Sequence, residues 1–341
     1  MPHAESAPSQ ALMKVLAGAW VAQAVFVAAR LGIADQLRDG ARSADELAAQ
    51  TGAHAGSLFR VLRALASVGI FAAEPDGRFR LTPVADLLRS DAPGSLRDYA
   101  IMNGSQWVWR SLGEIETSVR TGQPAFDSVF GVRLFDHYRA HPEVGRISAA
   151  ALHQLSATEN TAVVDAWQFP TSGTVVDIGG GEGSLLAAIV AANPDLTGVL
   201  FEREDVARTA YDRFVAAGLG ARCIAVVGDF FERIQPGGDV YLMKKVIHDW
   251  GDDEARAILA RCRTAMPDSA CLLLVEAIVP EDGRASPALW LDLLMLVYTG
   301  GRERTEREYR DLLDSSGFQV MRVVPTAATV SIIEAVPAAS C

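Results

Sequence analysis

The chain has 341 residues, half of them apolar and 21% charged, which excludes a disordered chain and leaves room for a sizeable core in two domains. A formal net charge of −11 disfavours a nucleic-acid partner, because phosphate binding needs a concentrated basic surface. Four cysteines, Cys223, Cys262, Cys271 and Cys341, are scattered without a C-x-x-C pair or zinc spacing, so neither a disulfide framework nor a metal centre is indicated.

The first ten residues are polar and lack the charged and apolar regions of a signal peptide. No run of about 18 uninterrupted apolar residues follows, so a soluble, cytoplasmic protein is expected. Residues 11 to 37 predict a largely apolar helix with few polar positions for a solvated face. Such a helix must be buried, and cover by a second subunit implies a homodimer. From 43 to 82 the pattern is two short helices and a hairpin: Ser43 and Glu46 form a capping box, Gly52 closes the first helix, and residues 57 to 69 make an amphipathic second one. Two short strands then flank the turn Pro75-Asp76-Gly77. The set resembles a winged helix. Arg60 and Arg63 on the second helix are a poor phosphate footprint on an acidic chain, so residues 11–100 read as a dimerisation and pocket-wall domain.

Residues 101–165 read as a helical linker and pocket segment, unusually aromatic, with Asn103, Trp107, Trp109, Phe126, Phe130, Phe135 and Tyr138, preceded by Tyr99. Aromatics dominate cores, and they also line the apolar pockets that take planar organic substrates; Asn103 and Trp107 are the candidate substrate contacts here. His153 fits either a core or a pocket position.

Residues 166–341 predict a doubly wound domain. Strands are expected near 174 to 177, 199 to 202, 222 to 228, 239 to 246 and 270 to 279, with a final pair near 318 to 325 and 328 to 336. Alternation with helical segments implies a parallel sheet covered on both faces. The last connection is too short for a parallel crossover, so the closing strand should run antiparallel.

Ligands in such a sheet sit at the carboxyl ends of the strands. The first strand ends in Asp177 and a turn with four glycines in five positions, Gly179, Gly180, Gly181 and Gly183. Glycines permit positive φ and close ligand approach, and the next helix presents free N–H groups. The second strand ends in Glu202, an acid placed for ribose hydroxyls, and the third in Asp229 and Phe230, a carboxylate and a ring suited to an adenine edge and plane. The third glycine of a dinucleotide fingerprint is replaced by Ser184, which counts against NAD.

Taken together, IGGGEG, GDFF, KKVIHDW, VEAIVP and GGRERT resemble the cation-independent, S-adenosylmethionine (SAM)-dependent O-methyltransferases related to the plant caffeate and flavonoid enzymes, with many bacterial natural-product members. The resemblance covers nearly the whole chain. It implies a class I methyltransferase sheet, six strands parallel and the last antiparallel, behind an N-terminal winged-helix dimerisation domain. It further implies SAM as cofactor without a metal, S-adenosylhomocysteine (SAH) as product, and a small aromatic substrate.

By the same resemblance His248 is the general base, flanked by Glu276 and Glu303. The cofactor residues it implies are Asp177, Gly179, Gly181, Glu202, Asp229, Phe230, Lys244 and Trp250, with Asp249 and Met295 on the substrate. Read alone, Glu276 is a lone charge in an apolar strand that needs a partner, Glu303 precedes a helix capped by Thr305 and Glu308, and Met295 fits a helix core as well as a pocket. The family's Leu-Pro after the ribose acid is replaced by Arg203 and Glu204.

The alternatives are a SAM-binding relative with other chemistry (C- or N-methylation, hydroxylation, decarboxylation, a pericyclic reaction) and a winged-helix regulator. The retained His248, Glu276 and Glu303 favour O-methylation, since the other reactions need no such base.

Overall fold

In the computed structural model, which describes residues 8–339, the first helix runs from Pro8 to Arg30 and ends because Gly32 takes a left-handed φ of 64°. The expected helix to residue 37 is therefore two helices, the second only Ile33–Gln36. By length and composition alone the first helix is apolar enough to cross a membrane. In the single chain Leu12, Val15, Leu16 and Trp20 stand exposed, so the burial demanded by its composition is not met within one subunit. Cys341 and the first seven residues lie outside the described part.

The chain divides into two units, one of residues up to Arg110 with 141–155, the other of residues 111–140 with 156 onward. In the first unit, Ser43 and Glu46 make the expected capping box at the head of helix Ala44–Thr51. Helix Ala55–Ser67 follows, then strands β1 (Phe71–Ala73) and β2 (Phe79–Leu81), paired antiparallel. Ile33, Leu37, Leu47, Leu58, Leu62, Leu65, Phe71 and Phe79 close a single core.

The second unit is built on seven strands: β3 (Ser172–Ile178), β4 (Asp195–Glu202), β5 (Cys223–Val227), β6 (Val240–Lys244), β7 (Cys271–Glu276), β8 (Phe318–Pro325) and β9 (Ser331–Pro337). Their order is β5-β4-β3-β6-β7-β9-β8, with β9 antiparallel to both neighbours, so six strands share one direction and one is reversed. Apolar clusters cover both faces, one around Val176, Phe201, Met243, Ile258, Leu274 and Leu312, the other around Val175, Leu186, Leu200, Phe214, Leu242 and Leu273. Winding outward from β3 in both directions leaves a crevice between the carboxyl ends of β3 and β6, where such sheets bind ligands. β6 stops at Lys244, two residues short of the expected end, because Lys245 adopts φ 53°.

Candidate active site

The turn after β3 has left-handed glycines at Gly179 (φ 66°), Gly181 (φ 58°) and Gly183 (φ 72°), the last capping helix Ser184–Ala192. A Cβ on Gly179 would lie 3.0 Å from Val246 Cγ2 and 3.4 Å from Phe230 Cε1, so Phe230 and the segment after β6 border this turn. Glu202, at the end of β4, accepts the Gly181 N–H at 3.1 Å and the Arg203 N–H at 2.8 Å. Arg203 thus serves the acid directly and caps helix Glu204–Ala216 in extended conformation, so the departure from Leu-Pro leaves an ordered turn. Asp177 is buried beneath Gly180, and neither carboxylate oxygen has a hydrogen-bond partner among the described residues. Burial pushes it up to about 7. An orphaned acid under a glycine cradle fits a ligand bearing hydrogen-bond donors.

Asp229 is exposed and turns its carboxylate onto the Phe231 N–H at 2.8 Å. Its neighbour Phe230 meets Trp250 edge-on at 6.0 Å, and Trp250 also faces Phe231 at 4.7 Å and stacks with Phe135 at 5.9 Å. Two aromatic residues read separately in the sequence, Phe230 and Trp250, therefore share one cluster.

Lys244 places its ammonium 3.0 Å from Glu159 Oε2 and donates to Asn160 Oδ1 at 2.8 Å. Sequence reasoning missed both partners. No local signal marked them, because Glu159 and Asn160 lie in the polar run Ser156-Ala157-Thr158-Glu159-Asn160-Thr161 of helix Pro142–Ala166, which reads as an ordinary solvated face.

Beyond Lys245 the chain makes a 3₁₀ turn, Ile247–Asp249, that carries His248. Glu276 ends β7 directly beside it, and its Oε1 accepts the Val246 and Ile247 amides at 3.2 and 2.9 Å. This is the partner that its apolar strand demanded. From the other side, the Arg302 amide donates to the His248 carbonyl at 2.9 Å, and a Cβ on Gly301 would lie 2.0 Å from that oxygen. Only glycine permits so close an approach. Arg304, buried, donates to the Trp250 carbonyl at 2.9 Å and to Asp252 at 2.7 Å. It too was missed, because nothing in its neighbourhood marks an exposed-type residue as a core brace.

The His248 ring is buried, with Nδ1 2.6 Å from Glu303 Oε1 and 3.9 Å from Glu276 Oε2, and Nε2 3.8 Å from Asp249 Oδ1. Glu303 therefore makes the direct hydrogen bond, while Glu276 acts through the backbone and at longer range. Burial opposes charge on the ring, but Asp249, Glu276 and Glu303 outweigh it and bring His248 up to about 9. Burial raises Asp249 to about 6 and Glu276 well above the usual carboxylate range.

One oxygen or nitrogen each from His248, Glu276 and Glu303 falls within 4.8 Å, the grouping of a base and two flanking acids that the resemblance implies and one that could also be read as a metal site. At 2.6 Å, however, Nδ1 and Glu303 Oε1 are hydrogen-bonded. Two ligands each about 2.0–2.2 Å from a zinc ion would stand farther apart.

Met295 is buried on helix Pro287–Tyr298, and its carbonyl accepts the Gly300 amide at 2.9 Å, which ties that helix to the Gly301–Glu303 segment. Asn103 and Trp107 lie in the first unit. Asn103 Nδ2 donates to the Tyr99 carbonyl at 3.0 Å, the Asn103 carbonyl accepts Trp109 Nε1 at 2.8 Å, and Trp107 is buried. His153 is exposed on its helix.

Two family models match the chain: an O-methyltransferase dimerisation domain over residues 13–91 and an O-methyltransferase domain over residues 109–319. A phenazine O-methyltransferase of Lysobacter antibioticus is 44% identical, covering 96% of both chains. The mitomycin biosynthesis 6-O-methyltransferase of Streptomyces lavendulae is 40% identical over 95% of this chain and 93% of its own. Among solved structures, an O-methyltransferase from neocarzinostatin biosynthesis in complex with SAM and 2-hydroxy-5-methyl naphthoic acid superposes with a TM-score of 0.82. It has 35% identity and covers 93% of this chain and 95% of its own.

Proposed function

This chain belongs to the SAM-dependent O-methyltransferase family of natural-product biosynthesis, and on that premise we propose that it methylates a phenolic or enolic hydroxyl of a planar aromatic metabolite, with His248 as general base. The observation that carries this is the 2.6 Å pair between His248 Nδ1 and Glu303. With Nδ1–H donated to a carboxylate, Nε2 is the ring's proton acceptor. A phenol has a pKa of roughly 10, so a histidine raised to about 9 comes close to matching it, and proton transfer is nearly even. Glu303 and Glu276 then stabilise the imidazolium that forms. Burial of the ring keeps water from competing for the base.

SAM, when bound, supplies an electrophilic methyl group on a positively charged sulfur. Asp177, Gly179 and Gly181 would hold its methionine part, Glu202 its ribose, and Asp229, Phe230 and Trp250 its adenine, with Lys244 beside it. The orphaned Asp177 and the Cβ-free face of Gly179 support that placement. Asn103, Trp107, Asp249 and Met295 are the proposed substrate contacts. The exposed apolar helix and the dimerisation-domain match support a homodimer.

The test is calorimetric titration with SAH and NAD, followed by incubation with SAM and hydroxylated phenazines and naphthoates. SAH binding with a mass gain of one methyl on oxygen is expected. Binding of NAD alone, or methylation of a ring nitrogen or carbon only, would contradict the proposal.

A further inference from the structure

We propose that Glu159 is a positioning residue, a double clamp that holds the two lysines at the end of β6 and thereby fixes both the His248 turn and the glycine turn. The inference rests on the reading of His248 as the base and extends it to a residue on a different element.

Glu159 is 6% exposed. Its Oε2 lies 3.0 Å from Lys244 Nζ, and its Oε1 accepts from Lys245 Nζ at 2.6 Å and from Thr329 Oγ1 at 3.3 Å. Each carboxylate oxygen thus holds a different lysine, and these are consecutive residues whose side chains point the same way. Consecutive side chains of an extended strand point to opposite faces. Lys245 can join Lys244 only because its backbone has left the strand, at φ 53°, the one left-handed non-glycine residue among those described. A lysine held there stores backbone strain, which persists only if the surroundings over-determine it. Glu159 is the side-chain part of that hold, and the Lys245 amide bond to the Val275 carbonyl at 3.0 Å is the backbone part.

The next residue extends the clamp to the cofactor side. Asn160 accepts from Lys244 through Oδ1 and donates through Nδ2 to Ser184 Oγ at 2.9 Å, and Ser184 opens the helix capped by Gly183. A single helical turn therefore ties the β6 end to the glycine turn. The groups facing the lysines are Glu159, Asn160 and, at longer range from Lys244, Asp177. Taking one carboxylate and two ammonium groups out of water is costly. An apolar trio would fill the same space more cheaply, but it could not dictate the direction of two adjacent side chains.

The test compares Glu159→Gln, Glu159→Asp and His248→Ala with the parent enzyme. It reads SAH affinity by calorimetry, kcat and the KM for SAM per folded protein, and the pH profile of kcat. For Glu159→Gln we expect SAH binding weakened at least about tenfold and kcat lowered about 10- to 100-fold, the usual scale for misplacing a reacting group by about 1 Å. The midpoint of the pH limb should stay at the parental value, since the carboxylates around His248 are untouched. A purely structural role would lower the melting temperature and leave kcat and SAH affinity of the folded fraction within twofold of the parent, which overturns the proposal. Should Glu159→Gln not fold, Glu159→Asp keeps the charge but is one methylene shorter. It is expected to lose part of both quantities, and parental values there would overturn the clamp equally. Parental kcat in His248→Ala would sink the base assignment alone, and the clamp would still be read from SAH affinity.

Discussion

Glu303 Oε1 stands 2.6 Å from His248 Nδ1, and the Glu303 amide is itself anchored to Asp292 Oδ1 at 2.9 Å. The carboxylate that bonds the His248 ring is thus held in place from behind. Glu276, although nearer to the ring in the order of the sheet, spends one oxygen on two backbone amides and keeps 3.9 Å from Nδ1 with the other. The two carboxylates should therefore separate by mutation. Glu303→Gln removes the charge that sets the tautomer and is expected to lower kcat roughly 10²- to 10⁴-fold. Glu276→Gln leaves a side-chain carbonyl able to accept both amides, and its loss should be the smaller. Steady-state kinetics of the pair decide this, and equal losses would contradict the division of roles.

Because the three carboxylates raise His248 to about 9, the cofactor-free ring is charged at neutral pH, and kcat/KM should climb with pH toward that value. Glu303→Gln should move the limb to lower pH. The same shift acts on stability. A histidine whose pKa is higher in the folded state contributes fully below its unfolded value near 6.5, and that contribution disappears as pH rises through about 9. Thermal melts of the cofactor-free protein should fall between these limits, with a total on the order of 3 kcal/mol. They should flatten in His248→Ala. A rise in stability over the same interval would contradict the assigned sign.

Gly301 marks the closest approach of two segments, its Cβ position lying 2.0 Å from the His248 carbonyl and 2.6 Å from the Trp250 amide nitrogen. Both neighbours are backbone and cannot rotate away. Gly301→Ala is expected to cost about 1–3 kcal/mol of stability by overpacking and to lower kcat in the fraction that folds. Unchanged melting and kcat would show that the segments separate freely.

Asp177 is buried, has no hydrogen-bond partner among the described residues and, through desolvation, is raised to about 7. Asp177→Asn removes a buried charge whose desolvation costs stability, so the protein alone should melt at a higher temperature while SAH binds more weakly. Calorimetry and melting together test this. Tighter SAH binding would show that Asp177 serves the fold rather than the ligand.

The parts of this site that were legible in the sequence are those whose partners are close along the chain or whose chemistry is itself unusual. Four glycines after an apolar strand announce their turn, and the Thr305-Glu308 capping box appears as read. Glu276 was marked by its apolar strand, yet its partners, two amides about 30 residues away, could not be seen. Arg304, Asp292 and Glu159 were invisible for the same reason. Each looks like an ordinary helix or loop residue until the sheet brings β6, β7 and the long helix ending at Ala166 together. The end of β6 was overestimated because nothing in Met-Lys-Lys-Val announces a left-handed lysine.

The central claim is that the His248 ring takes the proton from a hydroxyl during methyl transfer. The most direct measurement is turnover of His248→Ala on a hydroxylated aromatic acceptor at saturating SAM, with SAH affinity measured on the same preparation. The account predicts parental SAH affinity and a loss of about 10²- to 10⁴-fold in kcat. Parental kcat with intact binding would contradict it and leave positioning and desolvation to carry the reaction.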